Sequence, residues 1–166
     1  MAVRILVVDD DPIVHRTWRR LARSERLPLQ LLSATTAARA EELLKEAGDS
    51  IDVVVLDYHL DPGCGLDLVP MIRRRAASAA IALVTCHLDT DAWIAATDVG
   101  VTPVPKSDLW PKLREVLLRL LGPQGWGVRR LFPELSDRET EVVELMMDGL
   151  TDKEIAGAVE KNHSAG

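Results

Sequence analysis

At 166 residues the chain has room for one domain of common size and a small appendage. With 47% hydrophobic and 28% charged residues it is globular rather than disordered, and its few aromatics (4%) leave the core to Val, Leu, Ile and Ala. A net charge of -6 and a pI near 5.2 argue against general affinity for nucleic acid or anionic membrane. Cys64 and Cys86 make no disulfide framework and suit a reducing cytosol. No stretch has the length of a signal peptide or a membrane span, so the chain reads as soluble and cytoplasmic.

Along the chain, short apolar runs alternate with helix-period segments. The runs are Val3–Val8, Leu29–Leu32, Ile51–Leu56, Ile81–Val84 and Val101–Val104. They are rich in Val, Ile and Leu and nearly unbroken by polar residues, as strands buried on both faces of a parallel sheet are. The first helix opens at Asp11-Pro12, a cap followed by an N1 proline, with Ile13, Val14, Thr17, Trp18 and Leu21 as its inner stripe. The second is expected from Thr36 to Ala47, stopping at Gly48. The third lies near Leu66 to Ala76, with Pro70 in its early turns, where proline is best tolerated. The fourth lies near Asp89 to Val99, before Gly100. The fifth follows a cap at Ser107 or Asp108, with Leu109, Leu113, Val116, Leu117 and Leu120 inward. Five strand–helix repeats give a doubly wound α/β sheet, expected in the order 2-1-3-4-5.

The run Gly122-Pro123-Gln124-Gly125-Trp126-Gly127 breaks the pattern and reads as a linker over residues 122–133. Beyond it, Ser136-Asp137-Arg138-Glu139 and Thr151-Asp152-Lys153-Glu154 are capping boxes. Between them Val142, Val143, Leu145 and Met146 form an apolar stripe ended by Asp148-Gly149. Two short helices joined by a glycine turn are expected there.

The chemistry lies where strands end. Asp9 and Asp10 follow the first strand and Asp57 ends the third, so the switch point of the sheet brings three carboxylates to one crevice. Such a cluster repels itself unless a cation sits in it, and an all-oxygen site favours Mg²⁺. Thr85 ends the fourth strand and Lys106 follows the fifth, adding a hydroxyl and an ammonium. That set suits a phosphoryl group.

The segments Ile5-Leu6-Val7-Val8-Asp9-Asp10-Asp11-Pro12, Val53-Val54-Val55-Leu56-Asp57, Ala82-Leu83-Val84-Thr85 and Lys106 resemble the CheY-like, flavodoxin-fold receiver domain of two-component response regulators. The match covers about residues 1–121. It implies that Asp57 takes a phosphoryl group from the phosphohistidine of a sensor histidine kinase. It implies also that Asp10, Asp57 and the backbone carbonyl of His59 hold Mg²⁺, with Asp9 assisting. Lys106 and Thr85 would each meet a phosphoryl oxygen, Thr85 thereby reporting the modification. Such a protein is a phosphoacceptor rather than an enzyme, with at most self-phosphorylation from small donors and self-dephosphorylation.

Three departures stand out. Asp61 replaces the family's usual proline four residues after the acceptor, with Pro62 one step later. Pro103 stands where the family often has an aromatic coupled to the threonine, and Pro105 adjoins the lysine. The segment before Lys106 is also one residue short. His59 and His87, two residues past Asp57 and Thr85, hold positions that tend to tune how long the phosphoryl group persists. With Cys86 they also admit a transition-metal site, against which stands the commonness of exposed loop histidines. For Cys64 and Cys86 the ordinary expectation is small buried thiols.

Residues 134–166 resemble the first half of a LuxR/NarL-type helix-turn-helix: Leu135 to Leu145, then Gly149-Leu150-Thr151-Asp152-Lys153-Glu154-Ile155-Ala156. In that family the next helix enters the major groove. No such helix is expected here, and Lys161-Asn162-His163 looks like a fragment of it. The segment has clearly more acids than bases, which argues against DNA binding. Its helices are expected to pack on the first domain, form a dimer contact or stay partly unfolded. Trp93 and Trp110 fall on the fourth and fifth helices, either as core or as a face for a homodimer. Two other readings compete: an adaptor that no longer signals through phosphate, favoured by the irregular 61–62 and 103–105 segments, and a Mg²⁺-dependent phosphatase. The phosphatase is weakened because no acid lies two residues after Asp57.

Overall fold

The computed structural model describes residues 2–86, 90–122 and 126–164, with the side chains of 126–127 and 160–164 also outside the description. Strands β1 (Val3–Val8), β2 (Leu29–Ala34), β3 (Val53–Asp57), β6 (Ala80–Thr85) and β7 (Thr102–Pro105) form one parallel sheet in the order β2-β1-β3-β6-β7. A separate two-residue hairpin pairs β4 (His59–Leu60) with β5 (Gly63–Cys64). With that hairpin set aside, the sheet has the expected 2-1-3-4-5 order.

The alternation of side chains along each strand divides the apolar residues between two cores. Leu6, Val8, Val54, Leu56, Ile81 and Leu83 face α2 (Ala37–Ala47), α3 (Val69–Arg75) and α4 (Thr90–Asp98). Val3, Ile5, Val7, Val53, Val55, Ala82 and Val84 face α1 (Pro12–Ser24), the short α5 (Lys106–Leu109) and α6 (Leu113–Leu121). The central strands β1, β3 and β6 are buried almost throughout, as unbroken apolar runs require. The outer strands are not: β2 is mostly half-buried, and in β7 only Val104 is buried. An edge strand pairs on one side only, which is why Pro103 and Pro105 can sit in β7 without breaking a ladder bond.

Several expectations are corrected. Ile13 does not join the inner stripe of α1; it is 60% exposed, and the buried face is His15, Trp18 and Ala22. The expected fifth helix is two pieces, α5 and α6, broken at Trp110-Pro111, and α5 begins at Lys106 itself. The third begins as a 3₁₀ turn, Gly65–Leu68, before α3. Met146 in α8 (Asp137–Met147) is exposed, and Cys86 is exposed rather than a buried thiol. Asp89, the expected start of the fourth helix, lies outside the described residues.

The stretch 122–133 contains a helix, α7 (Trp126–Leu131), whose Val128 and Leu131 are buried in the same core as the sheet. Apolar residues three apart face one way on a helix, and here they face the first domain. Between them Arg130 makes a two-pronged ion pair with Asp52, Nη1 to Oδ1 at 2.8 Å and Nη2 to Oδ2 at 2.7 Å, and also donates to the Ala2 carbonyl. Asp52 in turn accepts the Arg4 N–H at 2.8 Å. Arg114 lies over the Phe132 ring, 5.2 Å from its centre. The C-terminal helices α8 and α9 (Asp152–Ser164) follow, with the Ser136 and Thr151 caps closed by Glu139 and Glu154. Val143 and Met147 of α8 pack against the core that α6 and α7 complete.

Arg130→Ala is expected to lower the unfolding free energy by about 2 kcal/mol, because it removes charge-assisted bonds and leaves Asp52 short of a partner. Urea denaturation followed by circular dichroism measures this; an unchanged midpoint would show that α7 is not tied to the sheet.

Candidate functional site

Parallel topology places the carboxyl ends of β1 and β3 side by side, with Val8 opposite Leu56. Asp9 and Asp10 leave β1 and Asp57 ends β3, and carboxylate oxygens of all three lie within 4.8 Å of one another. Asp9 and Asp57 are buried while Asp10 is exposed. Lys106, at the first residue of α5, reaches into the cluster: its Nζ is 3.1 Å from Asp9 Oδ2 and 3.4 Å from Asp57 Oδ2. The missing residue before the lysine therefore costs it nothing in reach. Thr85 is fully buried at the end of β6, one residue past the level of Asp57 on the neighbouring strand. His59 is exposed in the hairpin, and its N–H points to Asp57 Oδ1 at 3.4 Å.

The electrostatics follow from these positions. Burial first, and then the charge of Asp9, push the Asp57 carboxyl above the ordinary range, partly opposed by Lys106. Burial alone would depress the Lys106 ammonium, but its bond to Asp9 and the charges of Asp9 and Asp57 outweigh that and raise it. Three carboxylates face one ammonium, so the cleft can take a further cation. All its donors are oxygens, which fits a hard divalent ion such as Mg²⁺, and exposed Asp10 gives the ion a route in.

Among the described residues this is the one cluster of His, Cys, Asp or Glu with metal-binding spacing. His59 and Cys86 belong to no other such group, and His87 lies outside the described residues. Asp61-Pro62, the displaced proline, forms a cis peptide at the tip of the hairpin. Pro103 is half-buried in β7, so no aromatic occupies that strand. Trp93 is 48% exposed on α4, whereas Trp110 is half-buried with its ring edge-on to Trp18 at 5.7 Å. The two tryptophans thus have different roles.

Sequence reasoning missed two residues beside the cluster. His15 is buried in the first turns of α1 with Nε2 2.7 Å from the Asp9 carbonyl. A polar residue three places before Trp18, on the apolar face, was the available signal. Gly65 is the other: a Cβ there would stand 2.0 Å from the Asp57 carbonyl oxygen. The Gly65 N–H donates to the Tyr58 carbonyl at 2.9 Å, which draws the chain against β3. Only a residue without a side chain permits that approach.

An α/β domain with this sheet order and this cluster at its switch point is of the receiver class. A family model described as the response regulator receiver domain matches residues 5–104, and the chain belongs to that family. The alginate biosynthesis transcriptional regulatory protein AlgB of Pseudomonas aeruginosa is 30% identical over 139 residues, covering 84% of this chain and 29% of AlgB. The nitrate/nitrite response regulator protein NarP of Escherichia coli K12 is 27% identical, covering 94% of this chain and 80% of NarP. The chain thus spans less than a third of AlgB but most of NarP. Among solved structures, a LuxR-family two-component response regulator from Aurantimonas sp. SI85-9A1 superposes with a TM-score of 0.60, 23% identity and 99% coverage of each chain. A response regulator from Burkholderia pseudomallei, solved with a phosphorylated aspartic acid, calcium ion and citrate, has a TM-score of 0.60 and 19% identity, covering 95% of this chain and 92% of its own.

Two outcomes are expected. In metal-free buffer Asp57→Asn should raise the melting temperature at neutral pH. A carboxyl raised in the folded state stabilises below its unfolded pKa and loses that contribution as pH rises through the folded one. The advantage of the variant should therefore fade as pH falls into the carboxylate range; a gain independent of pH would contradict the assigned cause. Gly65→Ala should cost about 1–3 kcal/mol in urea unfolding, the usual toll of forcing atoms into a filled space.

Proposed function

We propose that this chain is a phosphorylation-controlled signalling protein in which Asp57 accepts a phosphoryl group from the phosphohistidine of a sensor histidine kinase. The observation that carries the reading is the lysine seated between Asp9 and Asp57 with a third, exposed carboxylate beside them. An Asp57 carboxylate oxygen attacks phosphorus, the bond from phosphorus to the donor imidazole breaks, and the imidazole keeps the electron pair. Lys106 already contacts Asp57 Oδ2, so its ammonium stands where a phosphoryl oxygen arrives. Asp10, Asp57 and the His59 backbone carbonyl would hold Mg²⁺, with Asp9 assisting; when bound, the ion neutralises charge on the transferred group. Thr85 would turn to the added phosphoryl oxygens, and its full burial means that the surrounding loop must move with it. The same acceptor takes phosphoryl groups from small donors and loses them to water. A phosphorylated aspartate and a calcium ion in the Burkholderia relative support this chemistry. We assign the chain to the cytoplasm. No helix among the described residues is long and apolar enough to cross a membrane.

For the output we propose a LuxR/NarL-type origin of residues 134–166, supported by the breadth of the NarP match and by the turn at Gly149, with φ of 78°, between α8 and α9. Residues 134–166 hold nine acids and three bases, so we assign this segment to protein contact rather than DNA reading. Trp93 and Ile94, both about half exposed on α4, favour a homodimer through α4 and the α5–α6 segment.

Incubation with Mg²⁺ and acetyl phosphate, read by intact mass, should add one phosphoryl group. The adduct should vanish in Asp57→Ala and with EDTA. Wild-type protein that takes up no phosphoryl group would leave the adaptor reading; multiple turnover of a phosphate ester would favour the phosphatase.

A further inference from the structure

We infer that His15 is a positioning residue of the acid site, holding the Asp9–Asp10 peptide so that the Asp10 carboxylate faces Asp57. The inference rests on the proposed Mg²⁺ site. Asp9 is held at every polar atom. Its N–H donates to the Ala34 carbonyl at 3.1 Å, its Oδ1 accepts the Asp11 N–H at 2.9 Å, and its Oδ2 lies 3.1 Å from Lys106 Nζ. The remaining atom, its carbonyl oxygen, meets His15 Nε2 at 2.7 Å.

A carbonyl oxygen carries no proton, so Nε2 must be the donor. Nδ1 is buried without a hydrogen-bond partner. The other buried residues of α1 are Trp18 and Ala22, so His15 stands on the apolar side of its helix, where leucine would leave no polar atom stranded. The imidazole is therefore accounted for by the bond it gives and not by packing. That bond acts on geometry, because the Asp9 carbonyl and the Asp10 N–H share one rigid plane. Fixing the oxygen fixes the direction in which the Asp10 Cα leaves. Asp10 is the exposed member of the cluster, and its own side chain has no hydrogen bond or ion pair among the described residues to hold it there.

The test is calorimetric titration of the full chain with MgCl₂, for wild type, His15→Leu, His15→Gln and His15→Asn, with melting temperatures recorded alongside. His15→Leu should weaken Mg²⁺ binding by about tenfold, the low end of what loss of a ligand-orienting partner costs. Gln carries an N–H at the reach of Nε2 and should restore most of the affinity; Asn is too short and should not. Wild-type protein that binds no Mg²⁺ overturns the metal reading itself. Wild-type binding with an equal affinity in His15→Leu overturns only the role of His15. Should His15→Leu fail to fold, the Gln and Asn variants decide, and equal affinities in those two overturn the inference.

Discussion

Three like charges gathered at the open end of a sheet are the constraint on which the rest of the molecule depends. Left alone they would repel and one would neutralise. Lys106 meets two of them, Asp9 and Asp57, and the third stays at the surface. The cost is a buried Asp57 carboxyl whose charge is disfavoured by burial and by Asp9. Everything that fixes these atoms lies in the surrounding frame: the parallel register of β1 and β3, the histidine under Asp9, the glycine against Asp57 and the helical turn that begins at the lysine.

The opposite pole of the sheet has a different task. Asp52, just before β3, is clamped by Arg130 of α7, while the acid cluster lies past the other end of the same strand. The C-terminal helices are thus anchored a strand's length from the chemistry. The α5–α6 segment joins the poles, since Lys106 opens it and Leu118 and Leu121 near its end lie in the core shared with Val128 and Leu131 of α7. Trp110, set edge-on against Trp18, braces that segment against α1. Without an aromatic at Pro103, this brace is a physical connection from the lysine to the rest of the domain.

Much of this was legible from residue order. Val-rich runs and capping signals located the sheet strands to within about two residues, and acids at strand ends marked the crevice. The misreadings share a cause. Residues 122–127 were read by their glycines and proline, which obscured the Val128–Leu131 face. Ile13 was counted inward because it is apolar, although the helix turns its buried face to His15. The outer strands read as buried on both faces, because hydrophobicity cannot tell a strand with two neighbours from a strand with one.

By itself the sequence determined the alternation of strands and helices, and hence a doubly wound sheet with Asp9, Asp10, Asp57, Thr85 and Lys106 at its carboxyl edge. Periodicity and capping are local, and they are written in neighbouring residues. Only the tertiary structure decided which charges meet, that His15 donates to Asp9, that Gly65 must be bare, and that α7 packs into a core of the sheet. Those facts depend on distances between residues 6 to 128 positions apart, which close packing sets and local pattern does not.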